Sequence, residues 1–355
     1  MLRDRREFLQ AIASAACVPL AAQAGPIAED DPGNAKLSHR IVAKSVSDDD
    51  LRFLQQIGLR WARLEWNEGE DASFDTLRAF QQRFARFGMR IHSGVHYSYR
   101  SKRVQLGLPG RDQDIETYRR FLRDLGKLGI PVASYDFHPA NTYTTAMVER
   151  RGYTAREFDV ETFRTKVEKQ AFEREYSAGD IWAAYTYFMK AALPAAEEAG
   201  VIMALHPDDP PLAKMNGVAK LFTHYDGYHR AEQIAAGSRS WALTFCVGTW
   251  SEGGDRMGKN VFEMIRDFGG RGKIAEVHFR NVTGPLPHFV ETFPDDGYMD
   301  MYQVMKALRQ VKFSGAAEPD HVPKLAGDSG LLRAGTAYCI SYMRALLRRA
   351  NEEVG

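Results

Sequence analysis

The sequence predicts an α/β fold, a (β/α)8 TIM barrel. Eight short apolar runs alternate with helical patterns, the repeating unit of a barrel or of a doubly wound sheet. With 355 residues, 44% of them hydrophobic, the chain suits one barrel domain better than two ordinary ones. No glycine-rich phosphate loop follows the first strand, which disfavours the doubly wound alternative.

The elements follow in order. Residues 41–44 form the first strand, and Ser47 ahead of three aspartates caps a helix with an acidic first turn. Residues 59–66 are a second strand and 74–87 a helix. A third strand spans 89–96, and a helix over 112–128 stops at Gly129. The fourth strand covers 131–138. A polar segment over 139–179, rich in Thr, Arg and Glu, then intervenes as an insertion on one face of the barrel. It is either a lid over its own barrel or a contact to a neighbouring subunit of a homo-oligomer. A helix over 181–199 ends at Gly200. Strands five to eight cover 201–205, 241–246, 274–279 and 315–318. Helices fit 230–236, 261–268, 301–311 and 331–350.

At the N-terminus, Arg5-Arg6 precede an apolar, alanine-rich run from Ala11 to Ala22, and Ala22-Gln23-Ala24 offers an A-x-A cleavage signal. This reads as a twin-arginine signal peptide over 1–24, with a polar linker over 25–37 and a single catalytic barrel over 38–355. It implies the twin-arginine export machinery as partner and a periplasmic or otherwise exported protein. The alternative is an amphipathic first helix of a cytoplasmic protein, but no acidic residue lies between Ala11 and Ala24. A lipoprotein reading at Cys17 is disfavoured by Ser14. A net charge of +1 gives no case for nucleic acid or an anionic membrane. No apolar stretch approaches the roughly 20 residues of a membrane span.

Four good metal ligands end four successive strands. They are His206 in L-H-P-D-D-P-P, Cys246 in T-F-C-V-G, His278 in V-H-F-R-N and Asp320 in E-P-D-H-V-P. Barrel active sites lie at the C-terminal strand ends, so these four can converge without any local motif. Singly, each reads as well as a structural residue; together they predict one metal site. Two imidazoles, a thiolate and a carboxylate suit Zn2+ or Co2+ as well as Mn2+ or Fe2+, and Mn2+ or Fe2+ would keep positions open for substrate. Cys339 reads as a buried apolar residue of the last helix.

These motifs, with D-M-Y-x-x-M-K-A-L from Asp300, together resemble the mannonate dehydratase family, a xylose-isomerase-like barrel. The match covers roughly 200–323. The resemblance implies a hydro-lyase that takes D-mannonate to 2-keto-3-deoxy-D-gluconate, with His206, Cys246, His278 and Asp320 as metal ligands. It also implies His321 as catalytic acid/base, and Arg280 and Asn281 beside the substrate. The chain departs from the family at 326–333, A-G-D-S-G-L-L-R, where a Pro-Gly-Tyr segment would supply a second acid/base tyrosine. Tyr143 or Tyr153 of the insertion could replace it. Export is the second departure, because the familiar dehydratase is cytoplasmic.

The chemistry fits. Removing the C2 proton of an aldonate is hard beside a charged carboxylate, and a divalent cation on the carboxylate and C2 hydroxyl eases it. His321 stands either as proton carrier or as a residue orienting Asp320. Arg280 pairs either with the substrate carboxylate or with Glu276 or an acid of the following loop. His138, ending strand four, either lines the pocket or does not. His92, His96, Trp61, Trp66 and Tyr97 favour packing roles, and His224 and His229 a solvated loop. Asp208 and Asp209 are expected to cap backbone amides after His206. A sugar isomerase or epimerase, or a sugar-acid binder without turnover, are the competing functions. Cys246 favours the lyase, since aldose–ketose chemistry would favour further carboxylates and a lysine.

Overall fold

The computed structural model describes residues 27–355; the export signal read over 1–24 lies outside them. Among the described residues, the strands are β1 (Lys36–Val42), β2 (Trp61–Trp66), β3 (Arg90–His96), β4 (Val132–Tyr135), β5 (Ala146–Arg150), β6 (Tyr153–Asp159) and β7 (Ile202–Leu205). They continue as β8 (Lys214–Met215), β9 (Val218–Ala219), β10 (Trp241–Cys246), β11 (Ile274–His278), β12 (Asn281–Val282), β13 (His288–Thr292) and β14 (Ala316–Glu318). Eight of them close a parallel barrel in the order β1-β14-β11-β10-β7-β4-β3-β2. This is the (β/α)8 barrel.

The expected linker over 25–37 runs too far. The first strand starts at Lys36, paired with Ala316, and Ala35 and Leu37 are buried. Its opening residues, K-L-S-H-R, hide a strand because this end of β1 lacks an apolar run. Capping chemistry sets the helices as expected. Ser47 and Asp50 form a capping box at Asp48–Gln56, and Ser177 with Asp180 does so at Ala178–Ala199. Gly200 ends the latter helix at φ 66°, where a side chain would be strained.

The insertion is not featureless. β5 and β6 form a hairpin that pairs with β13, giving a second sheet in the order β12-β13-β6-β5. Both partners leave the C-terminal ends of barrel strands, after β4 and after β11, so this sheet stands on the face where the site lies. Inside the barrel, chemistry climbs in steps of two residues along one face of each strand. Val132, Ala204 and Ala242 share one small apolar cluster. Two residues on, Ser134 and Thr244 bond Glu276 of β11. A further step brings Asp136 and Cys246, and His206 and His278 stand two residues beyond Ala204 and Glu276.

Candidate metal centre

His206, Cys246 and His278 present donor atoms all within 4.8 Å of one another. His206 Nε2 is 3.1 Å from His278 Nδ1. Asp320 also belongs to a second cluster, with Asp209 and His321. Its Oδ2 lies 3.6 Å from His278 Nδ1 and 4.0 Å from Cys246 Sγ, so it joins the two clusters. The four strand ends thus meet at one point.

The protonation states of His206 and Asp320 suit a cation, whereas His278 must lose a proton to bind one. Burial alone would lower His278, but Asp320, Cys246 and Glu318 raise it well above its usual range. His206 Nδ1 lies 2.8 Å from the Pro207 carbonyl, which places the N–H there and leaves the Nε2 lone pair facing His278. Burial pushes His206 well below its usual range, so the ring is neutral. Burial works against ionisation of Asp320, yet His321, His278 and Arg280 outweigh it and hold the carboxyl well below its usual range. The backbone N–H of Thr249 donates to Cys246 Sγ at 3.4 Å. Beneath His278, Arg63 Nη1 and Glu318 Oε1 lie 2.6 and 3.3 Å from Nε2. Burial raises the Glu318 carboxyl but Arg63 and His278 bring it down to about 2. This carboxylate can therefore take an Nε2–H when Nδ1 turns its lone pair to a cation. Cys246 and Cys339 are both buried and free.

A cavity of about 210 Å3 opens beside these groups, lined among others by His206, His278, Asp320, His321, His138 and Tyr143. His321 adopts a left-handed backbone, φ 48°, which is costly for a non-glycine residue and characteristic of functional positions. Its Nδ1 sits 2.8 Å from Glu291 Oε1. Arg280 Nη1 also contacts this Nδ1; the tautomer that donates its Nδ1–H to Glu291 is the one that leaves Nε2 as a base. His138 Nε2 lies 2.8 Å from Tyr143 Oη and 3.1 Å from Asp136 Oδ1.

Arg280 takes the ion-paired arrangement, the second of its two readings though with acids other than Glu276, and Asn281 bonds backbone carbonyls. Neither lines the cavity. The Arg280 side chain is wholly buried and spent on four carboxylates: Asp209 at 2.8 Å, Glu252 at 2.6 Å, Asp320 at 3.1 Å and Glu291 at 3.2 Å. Its alternative partner Glu276 instead serves Ser134 and Thr244 in the barrel. Asn281 pins the loop that follows β13, bonding the Pro294 and Met299 carbonyls, each at 3.0 Å. Two glycines carried a signal for both residues. A Cβ at Gly248 would strike the Arg280 guanidinium, and one at Gly297 the Asn281 amide. Asp208 caps the amides of Leu221 and Phe222, whereas Asp209 belongs to Arg280.

Sequence reasoning also passed over Arg63, Glu318, Asp136 and Arg156. Arg40, Arg63 and Arg100, which line the cavity, are each paired with carboxylates. Arg156 of β6 lines it too and has no such partner among the described residues. Trp66 packs in the core with Phe80 and Phe121. Trp61 packs edge-on against His92, and His96 bonds Ser98 and the Glu70 carbonyl. Tyr97 lines the cavity but donates to Glu65. His224 caps the helix Tyr225–Ile234, and His229 stacks on Tyr225.

The sequence profile of the D-mannonate dehydratase (UxuA) family matches residues 43–353. The chain belongs to the D-mannonate dehydratase family. "Mannonate dehydratase 2" of Halalkalibacterium halodurans is 30% identical over 255 residues, 64% of this chain and 72% of that protein. The mannonate dehydratase of Streptococcus suis strain 05ZYH33 is 32% identical over 252 residues, 63% of this chain and 68% of that protein. A solved mannonate dehydratase from Streptococcus suis serotype 2 superposes with a TM-score of 0.80 at 27% identity, covering 91% of this chain and 96% of that one. An L-ribulose 3-epimerase, at TM-score 0.57 and 12% identity, shares the fold alone. The mannonate dehydratase family is a family of metal-dependent hydro-lyases.

Proposed function

We propose that this mannonate dehydratase family member eliminates water from D-mannonate, or a close aldonate, to give the 2-keto-3-deoxy acid. The convergence of His206, Cys246, His278 and Asp320 beside His321 carries the reading. These four residues would hold a divalent cation, Mn2+ or Fe2+ on our reading. When bound, it acts as a Lewis acid that lowers the cost of negative charge beside the substrate carboxylate. His321, its Nδ1–H held by Glu291, takes the C2 proton at Nε2. Arg156, on the cavity wall and without a carboxylate partner among the described residues, takes the substrate-carboxylate contact that was one of the two readings of Arg280. Asp209, Glu252 and Arg280 lock the ligand loops from behind.

The test is metal content and turnover on one preparation. The chain from Gly25, purified anaerobically with Mn2+ or Fe2+, is given D-mannonate and other aldonates, and the 2-keto-3-deoxy product is measured. Product from the wild type but none from Cys246→Ala or His321→Ala supports the reading. Stoichiometric metal without turnover on any aldonate turns the choice to an isomerase or a binder. A chain that holds no metal at all removes its basis. Among the described residues, no helix is long and apolar enough to cross a membrane. Export by the twin-arginine route is part of the proposal, supported by Arg5-Arg6 and the A-Q-A signal. N-terminal sequencing of the protein from a periplasmic fraction should begin at Gly25, and a cytoplasmic, uncleaved chain would refute it.

A further inference from the structure

Elimination from an aldonate moves two protons. One leaves C2. The other must reach the C3 hydroxyl as it departs, because hydroxide is a poor leaving group and water is a good one. His321 accounts for the first. Among the groups lining the cavity, most proton carriers are committed. Tyr97 donates to Glu65 and Tyr99 to Asp136. Those carboxylates are held by Arg40, Arg63 and Arg100. Tyr135 is buried against Tyr185 and Trp241. Asp209 is held by Arg280.

Tyr143 differs. It lies in the insertion, lines the cavity, and sets its ring 6.2 Å from the His321 ring at 80°. Its hydroxyl is 2.8 Å from His138 Nε2. His138 Nδ1 is 3.4 Å from the Pro207 carbonyl, and Nε2 faces both the Tyr143 hydroxyl and Asp136 Oδ1 at 3.1 Å. With the N–H on Nδ1, Nε2 accepts the phenolic hydrogen, and with it on Nε2 the ring can return a proton to the phenolate. Burial drives His138 down to about 4 despite Asp136, and the ring stays neutral. Burial also pushes the Tyr143 hydroxyl upward, which keeps it protonated and a donor. Tyr153, the other tyrosine considered in the insertion, is spent on Asp296 at 2.7 Å and packs on Phe293. The stretch at 326–333 has no tyrosine, and its Asp328 caps the last helix at Ala334 and Gly335.

We propose that Tyr143 is the second catalytic residue, the proton donor to the departing C3 hydroxyl. The inference rests on the dehydratase reading above. His321 Nε2 accepts the C2 proton, and the C2–H electron pair becomes the C2–C3 double bond. The C3–O bond breaks with its electron pair on oxygen, which takes the Tyr143 proton and leaves as water. The phenolate regains a proton through His138, and the enol tautomerises to the 2-keto acid. No oxidant or co-reactant is required.

The experiment compares the Mn2+-loaded wild type, Tyr143→Phe and His321→Ala on D-mannonate in D2O. Product and deuterium at C2 of recovered mannonate are both followed. Removing a positioned general acid costs about 10²–10⁴-fold. Tyr143→Phe should lose at least about 100-fold in kcat with KM within about 3-fold. It should still place deuterium at C2 faster than it forms product, because His321 remains. His321→Ala should do neither. Product at the wild-type rate from Tyr143→Phe overturns the assignment. So does joint loss of product and exchange, which marks a positioning or structural role. A wild type that forms no product overturns the dehydratase reading itself, and this inference with it.

Discussion

Replacing Arg280 by Met asks whether this residue serves the substrate or the fold. Its guanidinium is wholly buried and meets Asp209 and Glu252 through Nη2, Asp320 and Glu291 through Nη1. Burial, with Asp209 next to it, raises the Glu252 carboxyl well above its range, so it carries a proton. Asp209 and Asp320 are held low and ionised, with Arg280 among the causes. Arg280→Met therefore leaves two buried anions without this cation. Breaking a buried pair in this way costs about 3–5 kcal/mol. Unfolding entropy of about 2.1 cal/mol/K per residue, over 355 residues, gives about 0.7 kcal/mol/K. The melting temperature should then fall by about 4–7 °C. Arg280→Lys should recover only part, because a point charge cannot span both sides of the fork. The sign with pH follows. Carboxyls held low give stability that is present above about pH 4 and lost as pH falls. The deficit of Arg280→Met should be full at neutral pH and shrink toward pH 3. Melts of the metal-free proteins across pH, with KM on the loaded ones, measure it. Unchanged stability with a raised KM would refute the structural assignment and return Arg280 to the substrate.

Arg156 carries the opposite expectation. Arg156→Gln should raise KM for the aldonate about 10-fold, a loss near 1.4 kcal/mol, while stability stays within about 0.5 kcal/mol; an unchanged KM removes it from the site. His39 of β1 is buried, and burial lowers it to about 4, with Glu318 opposing and Arg40 assisting. A depressed folded value means stability that is full above about pH 6.5 and lost as pH falls toward 4, by up to about 3 kcal/mol. His39→Gln should flatten that part of the stability profile, and parallel wild-type and variant curves would contradict the assignment.

The sequence made the barrel legible because strands such as β7 and β10 are apolar runs with clear ends, alternating with capped helices. β1 was partly hidden, since its first residues alternate Lys, Leu, Ser, His and Arg. The ligand set was legible for a topological reason. A barrel converts four residues at four strand ends into one cluster, so His206, Cys246, His278 and Asp320 needed no local motif. For Arg280 the sequence left two readings open, substrate or acidic partner, because its surroundings come from elsewhere. Asp209 follows β7, Glu252 follows β10 and Glu291 lies on β13, and only the fold shows that they converge. The hairpin in the insertion was missed for a related reason. Its β6 is stabilised by pairing with β13, some 130 residues later in the chain, rather than by an apolar run of its own.

The division of labour follows from charge. A buried site drives carboxyls, imidazoles and thiols alike toward their neutral forms. A cation site needs the carboxylate ionised and the imidazoles neutral. Burial supplies this for His206, Asp320 must be rescued, and His278, raised against burial by Asp320, must give up its proton to the incoming cation. For Asp320 the rescue is done by His321 and His278, joined from one side by Arg280. Arg63 holds Glu318 ionised from another, and Glu318 in turn faces His278. An arginine committed to two or more buried carboxylates has little capacity left for a substrate carboxylate, since turning away would strand those charges. The barrel strands are therefore suited to holding the ligands and unsuited to recognising the aldonate. Substrate-facing groups are better carried on a separate element, and the insertion that supplies Tyr143 and Arg156 is such an element. On this reading, exchange of the segment over 139–179 between family members should move substrate preference and leave metal binding in place. Transfer of metal affinity along with it would show that the two tasks are not separable.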